Sequence, residues 1–229
     1  MGLAHSPRIV TDGLVLALDA GNTKSYPGSG TTWTDTVGSN NGTLTNGPTF
    51  SSDNGGSIVF DGSDHEYVLA AANPDLNWGT GDFTVEMWVN VSSSSTYGML
   101  ISTEVNAQET EENTFVINTN SSLQLSVTTY STVLISASSA TAISANTWTH
   151  IVVTRQGTTL TLYIDKSSAA TGTSSVNYVA GGYTIGALPR SPSNTNFTGK
   201  VSNVRVYKGK ALTLAEIEQN YNATKGRFE

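Results

Sequence analysis

Apolar and polar residues alternate with a period of two along much of the chain, and turn-forming residues separate the alternating runs. In "FTVEMWVN" (83–90), Phe83, Val85, Met87 and Val89 fall on one face, and Thr84, Glu86, Trp88 and Asn90 on the other. "TWTHIVVTRQGTTLTLYID" reads as a hairpin: a strand to Arg155, a turn at 156–159, then Leu160, Leu162 and Ile164 pointing inward. Shorter strands are expected at 56–60, 66–70, 98–102, 114–118, 123–129, 183–187 and 200–208. Roughly ten or more short strands at this spacing imply an all-β fold, a two-layer antiparallel β-sandwich or jelly roll. Phe83, Val85, Met87, Leu160, Leu162, Ile164, Val204 and Val206 are its expected core. A single short helix is expected near the end, lying across a sheet edge. "TLAEIEQNY" opens with the capping-box pair Thr213 and Glu216, and Leu214, Ile217 and Tyr221 follow at helical spacing.

Composition fits this picture. Ser, Thr, Asn and Gly fill the solvent faces and turns, and charged residues are only 13% of the 229, about half the usual share. No charge block or Pro-rich linker divides the chain. One β-domain is therefore expected, at 13–229; residues 1–12 are read as an arm outside its core that suits docking on another subunit. Cysteine is absent, which excludes a disulfide framework and a thiolate metal site. The net charge of −7, with 11 basic residues that are scattered apart from those at 200–210 and Lys225 and Arg227, argues against nucleic acid as a partner. No apolar run approaches the roughly 20 residues of a membrane helix, and membrane insertion is not expected. The start lacks a charged segment before its short apolar run, so no secretion signal is expected.

The acidic stretch "ISTEVNAQETEEN" (101–113) raises the question of catalysis. Glu104, Asn106 and Glu109 come within one substitution of E-x-D-x-x-E, an active-site signature of one group of β-glucan hydrolases. Retaining glycosidases need two carboxyls about 5–5.5 Å apart. Residues five apart in a regular strand point to opposite faces, and Asn106 cannot supply the charge that would raise a neighbour's pKa. A solvated loop is the better reading, with a metal site as its alternative, and no enzyme activity is expected. His5, His65 and His150 are far apart in the sequence and form no zinc-protease pattern.

Six segments together resemble the laminin-G-like, concanavalin A-type jelly-roll family: "GLVLALDA", "SIVFDGSDHEYV", "DFTVEMWV", "NTWTHIVVTRQGTTLTLYIDKSS", "YTIGA" and "FTGKVSNVRVYKGKALTLAEIEQNYNA". They run in family order over 13–222. The opening "AHSPRIVTDGLVLALDAGNTKSYPGSGTTWTD" and the ending "NYNATKGRF" resemble virion proteins of marine tailed phages. The first resemblance implies a fold that binds glycans or proteins, or serves as a structural module. It also implies one structural calcium ion near Asp61 and Asn203, with Asp64 and Glu66 as further oxygen donors. Asn203 stands where many relatives carry Asp, which removes one charge from that site.

For saccharide contact, Trp33, Trp78 and Tyr97 are candidates because they fall in expected loops, whereas Trp88 and Trp148 sit on recognisable strands and read as core. Tyr183, Arg190, Asn194 and Asn196 join them on the variable loop 183–197. The combined expectation is a non-enzymatic virion surface protein, made in the host bacterial cytoplasm. It would dock in many copies or as a homo-oligomer on other virion subunits, as a capsid decoration or tail appendage, and bind host surface glycans. The alternative is a free carbohydrate-binding lectin or β-glucan hydrolase domain.

Overall fold

The computed structural model describes residues 8–94, 97–103, 113–129, 131–179, 182–189 and 195–229. In chain order its first strands are β1 (Leu14–Asp19), β2 (Thr32–Trp33), β3 (Gly42–Thr45), β4 (Thr49–Ser51), β5 (Ser57–Asp61) and β6 (Tyr67–Ala70). β7 (Phe83–Ser94), β8 (Gly98–Ser102), β9 (Val116–Thr119), β10 (Leu125–Thr128) and β11 (Val133–Ile135) follow. Then come β12 (Trp148–Gln156), β13 (Thr159–Ile164), β14 (Ser167–Thr173), β15 (Tyr183–Ile185), β16 (Phe197–Lys208) and the helix α1 (Leu214–Thr224).

The strands form two antiparallel sheets. One runs β14-β13-β12-β7-β16-β5-β4, with β1 taking over from β5 along the same edge of β16. The other runs β11-β10-β9-β8-β15-β6-β3-β2. The alternation read from the sequence sets the register. Val153, Val85, Val206 and Leu16 line up across β12, β7, β16 and β1, and Ile151, Met87, Val204 and Leu18 make the next row. All eight are buried between the sheets, and each such side chain contributes about 1.5–3 kcal/mol when fully removed from water. Seven of the eight expected core residues are buried, and Ile164, near the end of β13, is only partly covered.

The two sheets meet at their edges where β14 passes β11. Gly172 makes this possible: a Cβ there would lie 1.9 Å from the Leu134 carbonyl oxygen. Strand β14, "SSAATGT", is small and polar, and none of its residues is fully buried. It is held by pairing with β13 rather than by an apolar face of its own.

The helix starts as its capping box dictates, with the Thr213 N–H donating to Glu216 Oε2 at 2.9 Å and the Glu216 N–H to Thr213 Oγ1 at 3.4 Å. It lies over the outer face of the first sheet, not across an edge. The reason is the polar half of β7 and β16, which needs cover. Ile217 packs with Val152, Tyr207 and Leu212, Asn220 Nδ2 donates to Glu86 Oε2 at 2.7 Å, and Trp88 Nε1 donates to Thr224 Oγ1 at 2.9 Å. Residues 8–12 belong to the same cap. Val10 is buried in that cluster, its N–H donates to Asn220 Oδ1 at 2.7 Å, and its carbonyl accepts from the Tyr207 hydroxyl at 3.1 Å. The boundary expected after residue 12 therefore falls inside a packed segment. Among the described residues, no helix is long and apolar enough to cross a membrane.

Candidate functional site

The β14–β11 seam opens at one end into a cleft of about 690 Å³. One wall is the chain that leaves β14, from Thr173 to Asn177, and the other is the β10–β11 hairpin, from Thr129 to Leu134. Thr158, in the β12–β13 turn, and Asn113 also line it.

Local hydrogen bonds hold both walls. The Ser174 N–H donates to the Thr158 carbonyl at 2.8 Å, which ties the first wall to the hairpin turn. Ser174 Oγ shares a 2.8 Å bond with the Tyr178 hydroxyl and accepts from the Val176 N–H at 3.2 Å. Buried Arg155 donates from Nε to the Gly157 carbonyl at 2.9 Å and from Nη1 to the Val176 carbonyl at 2.8 Å. Opposite, the Thr129 N–H donates to the Thr132 carbonyl at 2.8 Å, and the Thr132 N–H returns a bond to Thr129 Oγ1 at 2.9 Å. Below the first wall, Tyr178 packs edge-on to Trp78, Phe83 and Phe115, and burial raises its hydroxyl pKa. Thr158, Thr173, Ser175 and Asn177 are exposed, and their side-chain polar atoms are free of protein partners among the described residues. Each can both donate and accept. Leu134 and Val176 supply apolar surface beside them.

The residues expected to touch a saccharide are placed elsewhere. Trp33 is fully buried and Trp78 nearly so; both join the main core, and Trp78 stacks on Phe83 with ring centroids 4.4 Å apart. Tyr183 is also in the core, donating to the Asn40 carbonyl at 2.9 Å, and burial pushes its pKa well up. These three are corrected from surface platforms to core. Trp33 and Tyr183 lie on strands β2 and β15 of the second sheet, and Trp78 lies in the link between β6 and β7; all three rings join the core between the sheets. Tyr97 is half-buried, its hydroxyl accepting from Asn118 Nδ2 at 2.7 Å and bonded to Thr128 Oγ1 at 3.1 Å. Arg190 and Asn194 lie outside the described residues, as do Glu104, Asn106 and Glu109.

The metal expectation divides. Asp61 pairs with Thr198 on β16, while Asn203 lies five residues further along and opposite Asp19, roughly 16 Å away at strand rise. They cannot share an ion. Asn203 is fully buried beside the Val201–Asn203 bulge, with neither side-chain atom hydrogen-bonded. Asp61 and exposed Asp64 belong to one tight turn, where Asp61 Oδ1 accepts from both the Ser63 N–H and Oγ at 2.7 Å. Those bonds lower the Asp61 pKa, whereas desolvation leads in raising that of Glu66, whose Oε2 accepts from the Asp61 N–H. Asn196 joins this turn by donating from Nδ2 to the Gly62 carbonyl at 3.1 Å, and its buried Oδ1 has no partner. Among the described residues, no three His, Asp or Glu side chains gather at one point.

Residues 61–218 match the concanavalin A-like lectin/glucanases superfamily, in its laminin-G-like branch. The chain belongs to this superfamily. No curated protein matches it in sequence. Among solved structures, this superfamily member resembles Trypanosoma rangeli sialidase in complex with sialic acid, with a TM-score of 0.72 and 14% identity over 97% of the chain and 36% of the sialidase. It also resembles the binding domain of Paraclostridial Mosquitocidal Protein 1, with a TM-score of 0.70 and 16% identity over 92% of the chain and 52% of that domain. Domain 4 of AbnA, a GH43 extracellular arabinanase from Geobacillus stearothermophilus in complex with arabinotriose, gives 0.64 and 16% over 92% of the chain and 98% of the domain. The chain thus spans about a third of the sialidase, and at these identities the likeness is one of fold.

Proposed function

We propose that the protein is a non-catalytic saccharide-binding module and that the seam cleft is its binding site. The observation that carries this is the lining itself: free hydroxyls and amides on two braced walls, with aliphatic surface between them. Saccharide hydroxyls require such groups, each able to donate or accept, held in place before the ligand arrives. Among the described residues no carboxylate lines the cleft, which supports a binding reading over the acid–nucleophile pair of a glycosidase. A neighbour of the same fold is described in complex with arabinotriose, which fits a binding role. The proposal is tested on an array of immobilised oligosaccharides together with a reducing-end assay on laminarin, lichenan and agarose. Saccharide capture without release of reducing ends is expected. Release lost in Glu104→Gln or Glu109→Gln would restore the glucanase reading.

Display on a phage particle is the finer part of the proposal. The resemblance of the chain's opening and ending to virion proteins supports it, with other virion subunits as docking partners, many copies per particle and host glycans as the target. Mass spectrometry of purified particles tests it, and particles that lack the protein end it. The calcium ion is proposed at the turn of Asp61 and Asp64 beside Asn196 Oδ1, with Asn203 left out. Carboxylate and amide oxygens are the donors calcium prefers.

A further inference from the structure

We infer that the cleft takes an uncharged saccharide and discriminates against sialylated and uronate-bearing ones; this rests on the reading of the cleft as a glycan site. An acidic sugar presents a carboxylate, and proteins hold one with an Arg fork or a Lys ammonium, whose charge-assisted bonds are the strong ones. The described lining contains Asn, Ser, Thr, Leu and Val and no ionisable side chain.

Arg155 is the cation nearest in sequence to this end of the sandwich, and it is spent on the walls. It is 1% exposed, and its bonds run to the carbonyls of Gly157, Val176 and, at 3.4 Å, Gly79. Its guanidinium also lies 5.5 Å from the Tyr178 ring centroid. It therefore works as a strut behind Val176 and cannot turn to a ligand without releasing that wall. The neighbouring turn carries the opposite sign, since Asp82 Oδ1 accepts from the Gly157 N–H at 2.7 Å. With a chain charge of −7, an anionic ligand meets repulsion on approach and, among the described residues, no paired charge on arrival. A neutral sugar meets neither penalty. Its hydroxyls face Thr158, Thr173, Ser175 and Asn177, and its C–H face has Leu134 and Val176.

Matched pairs test the inference: lactose and N-acetyllactosamine oligomers against their sialylated forms, and neutral xylo-oligosaccharides against glucuronate-substituted ones. Titration calorimetry at low and high salt is the readout. The neutral member of a pair is expected to bind at least about tenfold tighter, a difference of about 1.4 kcal/mol, with affinity unchanged by salt. Asn177→Ala weakens it, and Ser175→Arg at the rim narrows the gap. Equal or tighter binding of the acidic member overturns the inference and leaves the glycan reading standing. Binding of neither member, by a protein with native melting, overturns the glycan reading itself.

Discussion

Arg205 Nη1 donates to Glu86 Oε1 at 2.9 Å beneath the helix, and both side chains are almost wholly out of water. His150 Nε2 meets the same oxygen at 2.9 Å, and Asn220 binds the other. Burial by itself raises the Glu86 pKa, but the Arg205 charge, His150 and Asn220 outweigh it and lower the carboxyl from 4.5 to about 2. A carboxylate depressed on folding stabilises the protein above its unfolded pKa, and that contribution is lost as pH falls through the folded value. Stability is therefore expected to decline between about pH 4.5 and 2, by a few kcal/mol. Glu86→Ala, which strands buried Arg205, should cost about 3–5 kcal/mol and flatten that acid limb. Urea melts across this range check both.

Gly172→Ala tests the seam. A methyl group 1.9 Å from the Leu134 carbonyl oxygen forces β14 and β11 apart, because backbone on both sides cannot yield cheaply. Loss of about 1–3 kcal/mol and of saccharide capture together is expected, while Gly157→Ala, with open space around its Cβ but a φ of +59° that a side chain strains, should lower melting and leave capture in place. Melting curves and the oligosaccharide array separate the two.

Truncation separates the N-terminal segments. Removing 1–12 strips Val10 from the helix cap, with its bonds to Asn220 and Tyr207, and should lower the melting temperature by several degrees at about 1–3 kcal/mol. Removing 1–7 alone keeps Val10 and its bonds in place and is the cleaner probe of particle loading. Native loading of the 1–7 deletion would count against a docking arm.

Most of the sandwich was legible because its main strands pair an apolar face with a polar one. The rows through Val85 and Met87 follow from period-two spacing alone, and the helix start follows from Thr213 and Glu216. Strand β14 was not legible: "SSAATGT" has no apolar alternation and exists because β13 offers it an edge. The helix was expected at an edge because Glu86 and Arg205 do not show, in sequence, that they need a lid. The cleft escaped notice for a related reason. Thr158, Thr173, Ser175 and Asn177 are residue types found everywhere in this chain, and only the crossing at Gly172 gathers them. Trp33 and Trp78 were expected at the surface because they fall in expected loops, and both are core.

Calcium should raise the melting temperature by binding only the native state. The shift should vanish in Asp61→Asn and persist in Asn203→Ala, once each is compared with its own chelated baseline. A shift that depends on Asn203 would reverse the assignment made from the β16 register.

The central claim is that the seam cleft is where a saccharide sits. Backbone amide NMR during titration with a neutral oligosaccharide chosen from the array tests it most directly. The account predicts saturable shifts clustered at Thr158, Thr173–Asn177 and Thr129–Thr132, abolished by Asn177→Ala with Gly172→Ala. Saturable shifts that leave these residues still and map to the helix cap or to the Asp61 turn would contradict it.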